Sequence, residues 1–193
     1  VLLNGRHVNL HLGDHRSFEC EPKQRGLIRF NLSAIPGNAT CISATLQLVR
    51  NYQPEDDSTA TVEIYSVSAA NADWEVGETS NPAAAGLCCW ACKAANGAGG
   101  VTTPWAGSEG LQTPGVDYET TLLGTITVNA NDPIGTICSG NLLPSRVEGW
   151  FGSSNTNYGL LMLQDTFGGH VGQGDETTPA YRPKLIVQYS IPG

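Results

Sequence analysis

Methionine is almost missing from this chain of 193 residues, which has one. Charge is sparse as well: only 15% of residues are charged, and 10 Lys and Arg face 18 Asp and Glu. The formal net charge is −8, and no basic run occurs. A nucleic-acid backbone or an anionic membrane surface is therefore a poor partner. No apolar stretch approaches the roughly 20 residues that a transmembrane helix needs. No G-x-S-x-G context appears, and no P-loop or G-x-G-x-x-G follows a strand. Gly97 to Gly100 (GAGG) lies in a loop without phosphate-binding context. An initiator Met and a signal-like opening are absent too, which gives the expectation of a mature or trimmed product.

What is plentiful is turn-forming residue: 23 Gly and 11 Pro. Many turns and few helix-forming surface residues predict an all-β chain. The length suits one unit over 1–193, since sandwiches and barrels reach this size undivided. Arg25 to Thr45 reads strand, loop, strand. Ile28, Phe30 and Leu32 alternate with Leu27, Arg29 and Asn31, and Ile42, Ala44, Leu46 and Leu48 resume the alternation after an Ile-Pro-Gly-Asn turn. That period marks strands with one face on a core. Further strands are predicted at 7–12, about 26–32, 41–50, 61–68, 121–129, 158–164 and 183–191. Tyr158 to Gln164 is apolar on both sides and reads as a central strand. Leu142 to Phe151 is the best helix candidate, with Pro144 in its first turn and Val147, Trp150 and Phe151 on one face. From Ala69 to Tyr118 regular structure fades into a long loop with Trp74, Trp90, Trp105 and a Cys cluster. Loops this long are usually functional or specially pinned. Eight to ten strands favour a two-sheet sandwich.

Six cysteines stand at Cys20, Cys41, Cys88, Cys89, Cys92 and Cys138. An even count in an acidic, Gly- and Thr-rich chain favours disulfides and an oxidising compartment. Cys20 with Cys41, and Cys138 with the 88–92 loop, are the pairings that suggest themselves. Zinc on the Cys89/Cys92 spacing is the weaker alternative, because no second ligand pair follows. His7, His11 and His15 recur every four residues, but on a strand that is about 13 Å, too far for one ion.

The carboxylate clusters fall in predicted turns, and none forms an evident acid–base pair for glycoside chemistry. Asp56, Asp57, Asp175 and Glu176 are candidates for a structural calcium, although no EF-hand spacing supports them. No other cofactor is expected. Trp74, Trp105, Tyr118 and Tyr52 fall in loops or at strand ends and are the candidate platforms for stacking on sugar rings. The competing reading packs the tryptophans into the ends of the sandwich. Asn38-Ala39-Thr40 fits the N-glycosylation pattern in a turn, while Asn31-Leu32-Ser33 fits it in a predicted strand.

Four stretches resemble the disaggregatase-related (DNRLRE) domains, which overlap with carbohydrate-binding modules for alginate-type polysaccharide. Arg25 to Leu46 is similar to the pattern R-x-L-[IL]-R-F-[DN]-L-S-x-I-P-x-x-A-x-[IV]-x-x-A-x-L. Trp74-Glu75 is similar to a W-x-E/G turn. Thr103-Pro104-Trp105-Ala106 and Pro114-Gly115-Val116-Asp117-Tyr118 are similar to a P-W-x-x-x-G-x-D segment. Asn157 to Leu161 and Arg182 to Tyr189 are similar to the N-Y-G-L-L and R-P-x-L-x-V-x-Y end. The resemblance implies a jelly-roll-like antiparallel β-sandwich, secreted or at the cell surface, that binds polysaccharide or surface polymer without catalysis. Two departures stand out. The strand that opens the family is missing before Asn4-Gly5, and the family lacks the Cys-rich insert. A neighbouring copy supplying that strand would make the chain a self-assembling subunit of an extracellular filament or surface layer.

Overall fold

The computed structural model describes residues 2–4, 6–10, 24–50, 59–75, 85–86, 88, 91–98, 100–152, 156–164 and 179–192. Its strands are β1 (Leu2–Asn4), β2 (Arg6–Leu10), β3 (Gln24–Arg29), β4 (Thr40–Val49), β5 (Ala60–Ser66), β6 (Cys92–Ala95), β7 (Val101–Pro104), β8 (Gly124–Val128), β9 (Ile137–Leu142), β10 (Leu160–Gln164) and β11 (Lys184–Ser190). Among the described residues one α-helix, α1, spans Pro144–Glu148. The first sheet has the order β1-β11-β4-β9, the second β2-β3-β10-β5-β8, and β6 and β7 form a separate two-stranded sheet. Every strand pairing is antiparallel.

Apart from β2 and the β6–β7 hairpin, eight strands remain. In chain order the first, eighth, third and sixth form one sheet, and the second, seventh, fourth and fifth form the other. This interleaving is the jelly roll, two Greek keys wrapped into a sandwich.

Alternation explains the main core. Ile28 of β3, Ala44, Leu46 and Leu48 of β4, Ile64 of β5, Ile126 of β8, Leu160 and Met162 of β10, and Leu185 and Val187 of β11 meet between the sheets. Each fully buried Leu or Ile there contributes roughly 1.5–3 kcal/mol of transfer free energy. Leu32, Ile35, Val147, Trp150 and Phe151 extend this core at one end. The helix predicted over 142–151 is only five residues long. It does start with Pro144, and Val147 is its buried residue. The Glu148 carboxylate fastens it to β4 by accepting the Cys41 N–H at 2.8 Å.

At the far flank the two sheets touch through backbone. A Cβ on Gly124 of β8 would collide with the Asn141 carbonyl oxygen of β9, and a Cβ on Gly140 of β9 would collide with the Thr125 carbonyl oxygen of β8. Only glycine permits so close an approach.

The described residues between Ala69 and Tyr118 form a second layer. It covers the outer face of the second sheet and encloses a second core: Trp74, Cys88, Trp105, Leu111 and Tyr118 against Leu27, Val67, Leu161 and Leu163. Strand β10 is therefore buried along its whole length. The central position read from its two apolar sides is correct. The expectation of a structureless loop needs correction, because this stretch carries a 3-10 turn at Ala69–Asn71 and the β6–β7 hairpin.

Candidate functional site

Trp74 follows the 3-10 turn and lies over the end of β10. Its Nε1 donates to the Tyr158 carbonyl at 2.7 Å. Gly159, at φ +100°, makes room for the ring: a Cβ there would sit 2.8 Å from the indole. The Arg29 guanidinium stacks 4.6 Å from the ring centroid and donates to the Trp74 carbonyl at 2.5 Å and the Ala72 carbonyl at 3.3 Å. Trp74 is 0% exposed, Trp105 4% and Tyr118 8%. A sugar needs an open ring face for stacking, so these three aromatics are not the platform expected from sequence. They close the second core instead, with Tyr65 and Tyr118 at 5.1 Å between ring centroids.

The same layer is tied by one buried carboxylate. Asp117 Oδ1 accepts the Gly107 N–H at 2.8 Å and the Asn71 Nδ2 at 3.1 Å. Its Oδ2 accepts the Ser108 N–H at 3.0 Å and the Thr113 N–H at 2.9 Å. Asn71 Oδ1 in turn accepts the Ala106 N–H at 2.9 Å. Asp117 and Asn71 are both fully buried. Backbone N–H groups that no strand ladder satisfies thus find a charged acceptor, the stronger class of hydrogen bond. Sequence reading placed Asp117 only in a turn cluster. Its place in the Pro114-to-Tyr118 stretch of the P-W-x-x-x-G-x-D likeness was the available signal. At the rim, Lys93 pairs with Asp73 at 2.6 Å and donates to the Ala70 carbonyl.

Cys41 and Cys138 are buried thiols. Neither expected bridge is formed in this structure. Cys138 opposes Leu48 in the main core, whereas Cys88 lies in the second core and Cys92 with Ala95 in a third cluster. Cys41 and Cys138 share the main core, but seven positions of β4 separate Cys41 from Leu48, about 23 Å along the strand. Burial pushes both thiols up, for Cys41 with help from the Glu148 carboxylate.

Tyr52, Asp56, Asp57, Asp175, Glu176, Cys20 and Cys89 lie outside the described residues. Among the described residues no group of three His, Cys, Asp or Glu could hold a metal ion. No described helix is long and apolar enough to cross a membrane. Asn38 and Thr40 are exposed. Asn31 lies beyond the end of β3 rather than within a strand, is exposed, and accepts the Ser33 N–H through its Oδ1.

The remaining surface of note is the outer face of the first sheet. Strand β4 points Ser43, Thr45 and Gln47 outward, and β9 adds Ile137, Ser139 and Asn141. Strand β11 adds Lys184, Ile186, Gln188 and Ser190. Ser43 Oγ donates to Gln188 Oε1 at 2.9 Å, and Thr45 Oγ1 donates to Asn141 Oδ1 at 2.9 Å. Beside the first pair the register shifts between Gln188 and Tyr189. There Ile42 stands out, 61% exposed. In a chain of net charge −8, the described positions on this face include one charge, Lys184. Sequence reading missed the face because its polar residues are merely the alternate half of three strands. No protein-family model matches the chain, and no curated protein matches it.

Proposed function

We propose that this chain is a non-catalytic, extracellular β-sandwich module that binds polysaccharide or another surface polymer. One observation carries the reading: the exposed face of the first sheet is a lattice of hydroxyls and amides with almost no charge. Such groups exchange hydrogen bonds with a polyhydroxylated chain at little desolvation cost. Burial of Trp74, Trp105 and Tyr118 moves the reading from aromatic stacking to this polar face. Affinity electrophoresis against a panel of polysaccharides tests it. Retarded migration in at least one polymer is expected, and no retardation in any refutes it.

A second reading, self-assembly into an extracellular filament or surface layer, has its own observation. Strand β11 has seven residues, but β1 pairs only with Lys184 to Ile186. Among the described residues no strand pairs with the same edge at Gln188 to Ser190. An added strand from a neighbouring copy fits there. Sizing at several concentrations, with electron microscopy, separates the readings; a monomer at every concentration rules out assembly. A structural calcium at Asp56, Asp57, Asp175 and Glu176 remains part of the proposal, and an unchanged Tm in chelator would remove it.

A further inference from the structure

We infer that the outer face of the first sheet takes an uncharged polysaccharide, held by the side-chain amides of Asn141 and Gln188; this rests on the polymer-binding reading above. The polar pairs run diagonally over three neighbouring strands: Gln188 of β11, Ser43 and Thr45 of β4, Asn141 of β9. In both pairs a hydroxyl donates to the amide oxygen. That bond turns each amide oxygen toward the neighbouring strand and leaves its N–H2 group to donate to a ligand. The hydroxyl oxygens of Ser43 and Thr45 keep acceptor capacity. From Gln188 through Ser43 and Thr45 to Asn141 the row therefore reads donor, acceptor, acceptor, donor, and sugar hydroxyls, which both donate and accept, complement it.

Geometry and charge narrow the ligand. Adjacent strands lie about 4.8 Å apart, close to the advance of one ring along an extended β-linked chain. Asn141 of β9 and Gln188 of β11 stand two strand spacings and two residues apart, about 12 Å, so a polymer running along this diagonal meets their amides from rings two apart. Ile42 and Ile186 border the row and offer apolar surface to ring C–H groups. A polyanion finds no basic cluster here: Lys184 is the one cation among the described positions of this face, opposite Gln47. The net charge of −8 repels polyanions further. A neutral polymer suffers neither handicap.

Affinity electrophoresis with soluble β-glucan, mannan, alginate and polygalacturonate, at low and high salt, provides the test. The expected result is retardation by β-glucan or mannan that salt does not change. The double variant Asn141→Ala, Gln188→Ala should weaken it roughly tenfold, from two net hydrogen bonds. Asn141→Asp with Gln188→Glu keeps the shape, removes the N–H2 donors, and should weaken it as much. Thr125→Ala with Thr127→Ala, at exposed positions of β8 in the other sheet, should leave it unchanged. Salt-sensitive retardation by the polyanions alone overturns this inference and leaves polymer binding standing. So does retardation by a neutral polymer that the Asn141 and Gln188 variants do not alter, or that the β8 variant abolishes. No retardation by any polymer overturns both.

Discussion

The Arg29 guanidinium stacks on the Trp74 indole and hydrogen-bonds to the carbonyl of that same tryptophan. Arg29 belongs to β3 of the second sheet and Trp74 to the layer that covers it. One side chain thus joins two parts of the chain 45 residues apart. Removing it in Arg29→Ala takes away a cation–π contact and charge-assisted hydrogen bonds, with an expected cost of about 2 kcal/mol. Arg29→Lys should recover only part, because an ammonium cannot stack and fork at once. Urea unfolding followed by tryptophan fluorescence measures both.

Asp117→Asn should destabilise by about 3 kcal/mol, although it is nearly isosteric. At least one N–H of Gly107, Ser108, Thr113 or Asn71 would then face an amide N–H2 instead of an oxygen. Thermal unfolding checks the loss. Faster proteolysis within 106–116 should accompany it, since these bonds hold that segment down.

Glycines separate sharply by what surrounds them. Gly140→Ala forces a methyl against the Thr125 carbonyl oxygen, so the sheets must part at that flank. The expected cost is about 3 kcal/mol. Gly37→Ala meets nothing closer than 3.9 Å and should stay within roughly 0.5–1 kcal/mol of the parent. Parallel melting curves of the two variants decide the point; equal losses would contradict the close approach.

Cys41 and Cys138 make stability fall in alkali. Burial comes first for each; the Glu148 carboxylate adds to it for Cys41, and Asp132 adds to it while Arg50 opposes it for Cys138. A thiol raised in the folded state stabilises fully below its ordinary value of 9.0. That contribution is lost as pH rises through the folded-state value. The Cys41→Ala, Cys138→Ala variant should therefore lose less stability than the parent above that pH. In the native protein both thiols should react slowly with Ellman's reagent, and promptly once urea exposes them.

Much of the sandwich was legible because half-buried strands write their period into the sequence. Strands β4, β5 and β11 fell within one or two residues of the predicted spans. Strand β10 announced its two buried sides through Leu160 to Leu163. Strand β9, Ile-Cys-Ser-Gly-Asn-Leu, gave no such signal. Its Gly140 reads as a turn, yet it is required by a neighbouring backbone that only the fold brings near. The second layer was hidden for a related reason. Asn71 and Asp117 are commonplace turn residues until 46 positions of chain fold back and join them. The tryptophans were visible as important, but sequence does not distinguish a ring that packs from a ring that binds. The polar face was the least legible, since its pairs lie 145 and 96 positions apart.

Leu160 and Met162 face one core while Leu161 and Leu163 face the other. This alternation makes β10 a shared wall. Neither compartment melts while the other persists without stripping one side of the same five residues. In deuterated solvent the amides of 160–164 should then be the last to exchange, reporting whole-chain unfolding rather than local opening. Peeling away the Trp74 layer would not release an accessory flap; it would wet the central strand of the sandwich.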